Sequence, residues 1–279
     1  MMGWYSAWPA PAKLNLFLHI VGRRDDGYHL LQTAFRFIDR GDVLRFSPLD
    51  GGDIVLTSPL PGVAPELDLT VRAARLLREA SDVGHGVAIE VDKRLPMGGG
   101  LGGGSSDAAT TLIALNHLWG CGLPPDELER LGLRLGADVP VFIHGHNCFA
   151  EGVGERFRDI EVPPAWYLVT VPEIQVPTAE VFRDPALRRD TPVIDPMRWR
   201  PGLGGNDLEA VACRLYPEVA MHLAWLRERG PARMSGSGGC CFAEFAGEAA
   251  ALAAEAQMPA GMRGFVARGL NRHPLSELT

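Results

Sequence analysis

Between Pro96 and Asp107 the chain reads PMGGGLGGGSSD, in which every position from Gly98 to Gly104 is glycine except Leu101. Ordering a glycine costs roughly 0.5 to 1 kcal/mol relative to alanine, so such a run needs something to compensate it. A bound anion would do so. Backbone without side chains approaches closely, consecutive N–H groups aim inward, and a following helix adds its positive end and unpaired amides. Pro96, Met97, Gly98, Gly99, Gly100, Leu101, Gly102, Gly103, Gly104, Ser105 and Ser106 thus form a candidate phosphate cradle, with Ser105, Ser106 and Asp107 offering caps and hydroxyls at the first turn. Gly98, Gly100 and Gly103 satisfy GxGxxG, but DKRLPM separates them from the preceding strand, unlike a dinucleotide fingerprint. No lysine follows the glycines as a P-loop requires. A flexible Gly/Ser linker is the bland alternative; the position between a clear strand and a clear helix argues against it.

A phosphate site needs cations, and lysine is scarce. Of 27 basic residues only Lys13 and Lys93 are lysine. An ammonium is a compact point charge that guanidinium does not replace at a tight site. KLNLFLHI, from Lys13 to Ile20, alternates as a strand, with Lys13, Asn15, Phe17 and His19 on one face and the aliphatic residues on the other. Lys13 and Asn15 then stand side by side. Asp138, in GADVP, follows a helix stop at Gly136, and Pro140 is expected to hold Val139 extended. It reads either as a turn aspartate or as a general base. Lys93, just before the glycines, reads equally as a nucleotide contact or a solvated strand end.

The elements that must position these groups follow from periodicity. Strands are predicted at Lys13–Ile20, Asp42–Phe46, Asp53–Thr57, Gly86–Asp92 and Trp166–Val171, with a strand pair around Cys148–Phe157. Helices are predicted at Asp68–Ala80, from the glycine loop to about Trp119, at Pro125–Gly136, and around Asn206–Leu215 and Pro217–Arg229. The tail adds two strands, an alanine-rich helix and the strand Gly264–Arg268. An α+β protein of two units follows, with boundaries expected at 1–160 and 161–279.

Composition narrows the class. The chain has 279 residues, 46% hydrophobic and 22% charged, as ordinary globular proteins do. A net charge of -7 argues against a nucleic-acid partner. Five cysteines without CxxC spacing fit neither a disulfide framework nor a zinc site and suit a reducing cytoplasm. The N-terminus lacks signal-peptide character, and no stretch reads as a membrane span.

The motif PMGGGLGGGSSDAA resembles the phosphate loop of the GHMP kinases, named for galactokinase, homoserine kinase, mevalonate kinase and phosphomevalonate kinase. The resemblance extends through PAKLNLFLHIVGRRDDGYH, LGADVPVF, AEGVGE and SGSGGCCFAEF, over nearly the whole chain. It implies a two-domain GHMP kinase fold, with a first domain like domain 2 of ribosomal protein S5 and a ferredoxin-like second domain closing the cleft. It implies ATP as phosphoryl donor, Mg²⁺, and an alcohol acceptor linked to cytidine diphosphate. Asp138 would be the base, with Lys13 keeping it ionised, and Asn15 would orient the acceptor. Tyr28 and His29 match a cytidine-recognition segment, with Thr178 and Phe182 on the opposite wall. Ser106 would be a candidate Mg²⁺ ligand, and Ser235–Gly239 a glycine turn brought to the site from the second domain. Asp68 stands where relatives carry asparagine. A GHMP kinase with another acceptor, such as homoserine or mevalonate, and a nucleotide- or sugar-binding sensor without turnover are the alternatives.

Overall fold

The computed structural model of the chain describes residues 2–60 and 62–279. Pro9 and Pro11 lack the N–H that an inner strand donates, and β1 (Trp8–Arg23) accordingly lies at an edge, paired with β2 (His29–Leu49). The 21-residue β2 is the spine of the molecule. Its other edge takes β4 (Gly86–Asp92) beside Val43–Leu49, β5 (Cys148–Gly152) beside Leu31–Phe35, and between them the end of β10 (Arg263–Leu270) at Phe37 and Ile38. β3 (Ile54–Leu56) runs parallel to β4, and β6 (Arg156–Asp159) antiparallel to β5. The predicted strand Asp42–Phe46 is therefore one end of a much longer one. Its remainder is buried on both faces and carries no clean alternation for periodicity to detect.

Helices α1 (Leu69–Ser81), α2 (Gly103–Leu118), α3 (Pro125–Leu135) and α4 (Val139–His144) enclose the first core with Phe37, Phe46, Ile89, Leu112 and Phe142. α2 is buried almost all round from Ser106 to Leu115, and its hydroxyls find acceptors that fit. Ser106 Oγ donates to the Pro11 carbonyl at 2.7 Å and Thr110 Oγ1 to that of Pro9 at 3.2 Å, which docks the helix on the edge strand. In the second half, β7 (Trp166–Val171), α5 (Thr178–Arg183), α6 (Glu209–Leu215), α7 (Pro217–Arg227), β8 (Ala232–Met234), β9 (Cys241–Phe245) and α8 (Glu248–Glu255) precede β10. The antiparallel order β10-β7-β9-β8, with α6 and α7 before β8 and α8 before β10, is the expected ferredoxin-like arrangement. This half has its own core around Leu168, Leu208, Leu223 and Val266. A third cluster, including Leu14, Phe17, Leu101, Phe149, Tyr167, Trp199 and Phe242, joins the halves.

Two local expectations need correction. A register shift between Asn15 and Leu18 breaks the alternation of β1, and Phe17 packs with Leu14 and Leu16 in the joining cluster rather than sharing a face with Lys13 and Asn15. Val139 is not extended. It opens α4, because proline is tolerated in a helix's first turn, where its missing N–H would have had no partner.

Candidate active site

Lys13 and Asn15 project from β1 before the bulge, on an almost inaccessible stretch of strand. The Lys13 side chain is 2% exposed, so each donor of its ammonium needs an acceptor. Nζ lies 2.6 Å from Asn15 Oδ1, 3.1 Å from the Gly100 carbonyl and 3.2 Å from Asp138 Oδ2. Asn15 is fixed in turn: its Nδ2 donates to Thr33 Oγ1 at 2.9 Å. One ammonium thus joins the strand, the glycine loop and the carboxylate. Asp138 occupies the N-cap position of α4 and is 40% exposed, open to a reactant on the side away from Lys13. The other end of α4 is pinned by His144, whose Nε2 lies 2.6 Å from Asp159 Oδ1 and Nδ1 3.4 Å from Glu129 Oε1. Burial alone would lower the pKa of this imidazole, but bonds to Glu129 and Asp159 together raise it.

The glycine loop is held by its carbonyls. Cys240 N donates to Gly99 O at 3.0 Å, Lys13 N to Leu101 O at 2.9 Å, and Ser235 Oγ to Gly100 O at 3.0 Å. Ser235 Oγ also accepts from Asn15 N at 3.2 Å, so the turn from Ser235 to Gly239 grips loop and strand together. Among the described residues the backbone N–H groups of residues 98–105 have no protein acceptor. They line a cleft of about 440 Å³ together with Lys93, Asp68, Asp107, Asp138, Thr178 and Ser237. Carbonyls tied back and amides left open at a helix N-terminus are the donor arrangement that an anion needs. Gly100 explains part of the glycine content. It has φ +76°, and a Cβ there would come within 2.1 Å of the Ser235 carbonyl oxygen.

The remaining predicted residues divide. Ser106 is fully buried, bonded to Pro11, and is not among the residues lining the cleft. Ser105 does line it, whereas the cap of α2 is Gly102, without a side-chain bond, so the expected serine or aspartate cap is not formed. His29 and Phe182 come together from opposite halves, ring centroids 5.0 Å apart. Tyr28 is 66% exposed beside them in sequence. Thr178 Oγ1 lies 2.6 Å from Ser237 Oγ, on the cleft wall. Lys93 is no solvated strand end: its ammonium touches Asp42 Oδ2 at 2.5 Å and Asp107 Oδ2 at 2.7 Å. Burial pushes the Asp107 carboxyl up, and Lys93 opposes the rise. Asp107 Oδ1 has no partner among the described residues. Asp68 caps α1 through Thr70 N and Oγ1.

Asp42, Thr33, Asn206 and Arg189 escaped the sequence reading. Asn206 Nδ2 donates to the carbonyls of Met234 and Gly236 and sets the Ser235 turn. Its signal was present as the polar pair closing the glycine-rich PGLGGND. No three His, Cys, Asp or Glu among the described residues are arranged to hold a metal, and no described helix is long and apolar enough to cross a membrane.

Comparison with known proteins agrees with this geometry. The family model described as GHMP kinases N terminal domain matches residues 68–146, and that of GHMP kinases C terminal matches 186–264. A 4-diphosphocytidyl-2-C-methyl-D-erythritol kinase of Dechloromonas aromatica is 63% identical, with 98% of this chain and 100% of that one covered. Its counterpart in Thiobacillus denitrificans is 59% identical over 96% and 97%. The crystal structure of a 4-(cytidine 5'-diphospho)-2C-methyl-D-erythritol kinase superposes with a TM-score of 0.82 at 36% identity, covering 95% of this chain and 99% of that one. Both halves, in sequence and in architecture, place the chain in one family: it is a GHMP kinase.

Proposed function

We propose that the chain transfers the terminal phosphoryl group of ATP to the 2-hydroxyl of 4-diphosphocytidyl-2-C-methyl-D-erythritol, giving the 2-phosphate and ADP. The observation that carries this reading is the placement of Lys13. Its ammonium touches both Asp138 and the Gly100 carbonyl, so the carboxylate stands at the mouth of a cradle of open amides. Asp138 takes the proton of the acceptor hydroxyl as the oxygen attacks phosphorus and the bond to the departing ADP oxygen breaks. Lys13 balances the charge developing on that oxygen, and Asn15 orients the alcohol. Amides from Gly98 to Ser105 neutralise the phosphate tail without moving during the reaction, whereas the Ser106 N–H is already bonded to the Gly102 carbonyl. The His29–Phe182 pair at the junction of the halves suits a flat base, and Tyr28 and Thr178 complete its proposed surroundings.

Mg²⁺ prefers phosphate oxygens and retained waters over a protein cage. The phosphates would therefore bring it, and it would supply positive charge to the transferring group. Ser106 would have to share its oxygen between Mg²⁺ and the bond to Pro11. The five free cysteines support a reducing, cytoplasmic setting. Purified protein should form ADP from ATP only when the cytidine-linked alcohol is added. Equal ADP formation with homoserine or mevalonate, or none with the cytidine compound, overturns the assignment.

A further inference from the structure

Beside the His29–Phe182 pair lies a guanidinium that none of the sequence motifs includes. Arg189 follows α5 by six residues and folds back over the segment it has just left. Its Nη2 donates to the carbonyls of Phe182 and Asp184, both at 2.9 Å, and its Nη1 to that of Leu187 at 2.9 Å. With three carbonyls fixing the fork, Nε has one direction left, and it meets His29 Nε2 at 3.2 Å.

That contact has a chemical consequence. Guanidinium is charged at every pH a protein tolerates and carries donors only. The ring nitrogen facing it must therefore accept, which leaves the imidazole neutral with its proton on Nδ1. An imidazolium would set N–H against N–H. We infer that Arg189 is a positioning residue for base recognition: it locks His29 as the Nδ1–H tautomer, so that the ring offers a donor to the substrate's base. The inference rests on the cytidine reading above. A donor at this position suits the N3 and O2 acceptors of cytosine, whereas uracil presents N–H at N3. The same guanidinium, bonded to the Phe182 carbonyl, ties both walls of the clamp, His29 from β2 and Phe182 from α5. Burial first, then Arg189 and Arg23, the charges acting on this ring, lower the His29 pKa.

Ring ¹⁵N spectra of histidine-labelled protein test the tautomer directly, with His29→Gln assigning its signal among the eight histidines. The wild type should show a protonated Nδ1 and a bare Nε2, with the ring titrating below the ordinary histidine range. In Arg189→Ala the Nδ1–H preference should be lost and titration should move up toward the ordinary value. Arg189→Lys, which keeps the charge without the fork, should restore part of both. Loss of one such contact should raise KM for the cytidine-linked acceptor about tenfold, with kcat within about twofold and KM for ATP unchanged. The preference for the cytidine over the uridine acceptor should narrow by a similar factor. An Arg189→Ala spectrum still showing Nδ1–H with unaltered titration overturns the inference, as does an unchanged cytidine-to-uridine preference. The spectra are recorded without acceptor, so they decide the tautomer whatever the acceptor is, while wild-type turnover of the cytidine compound decides the substrate.

Discussion

In the proposed mechanism Asp138 and Lys13 divide work that one residue cannot do. The carboxylate must be reachable by an alcohol, and it is 40% exposed, while the ammonium that faces it is sealed at 2% and held by three oxygens. Replacing Asp138 by asparagine keeps the shape and removes proton acceptance. Because the loop amides hold the nucleotide in this reading, Asp138→Asn should bind an ATP analogue as tightly as the parent. Its turnover should fall by roughly 10² to 10⁴, the range general-base catalysis contributes. Calorimetric titration with the analogue and acceptor-dependent ADP release separate the two effects. Parental turnover in this variant would remove Asp138 from the chemistry, and lost analogue binding would make its role structural. The pair is readable in the sequence because lysine is so rare that one on a strand face calls for an explanation. The partners of Lys93 are not, since Asp42 lies 51 positions away and Asp107 belongs to a helix that reads as apolar.

At the scale of the element, the glycine loop answers to two different demands. Gly100 is glycine because of the second half of the molecule: its φ is +76° and the Ser235 carbonyl occupies the place of a Cβ. Gly104 meets nothing nearer than Leu69 Cδ1 at 3.5 Å, and it already sits in α2. Gly100→Ala should therefore lower the unfolding free energy by more than about 2 kcal/mol, through strain and the displaced clasp. Gly104→Ala should stay within about 0.5 kcal/mol of the parent or gain, as alanine favours a helix. Urea unfolding of the two variants checks this, and equal stabilities would mean that the clasp does not set the loop. Sequence alone leads one to expect an anion-binding loop, since strand, glycines and helix are contiguous. It does not show which glycines serve the ligand and which serve the turn at Ser235–Gly239, because that contact spans about 135 residues. The same limit hides the bulge in β1 and the length of β2. Both are set by partners across the sheet rather than by local period.

In the whole molecule the two halves are not separable at one point of the chain, because the last residues return to the first core. β10 leaves the second sheet, pairs with β2 at Phe37 and Ile38, and delivers the tail beneath α4. There Leu275 is 3% exposed in the first hydrophobic cluster, and the His273 ring lies edge-on to Phe37 and Phe142 at 5.6 and 6.4 Å. Burial depresses the His273 pKa to about 3, so the ring packs as a neutral group. Asn271 Oδ1 accepts from Arg36 Nη1 at 2.6 Å and from Asn147 Nδ2 at 3.0 Å, supporting a guanidinium that is 1% exposed. Deleting residues 271–279 removes a buried leucine and a partner of a buried charge at once. The loss should be at least about 3 kcal/mol by the usual cost of core truncation and unpaired buried groups. The tail also fixes the end of α4, since His273 N donates to the Gly145 carbonyl at 2.8 Å, and α4 begins at Asp138, the proposed base. The shortened chain should thus unfold at lower urea and turn over more slowly, even where it remains folded. A truncated protein with the parental urea midpoint and parental ADP release would mean that the first half holds Asp138 in place without help from the end of the chain.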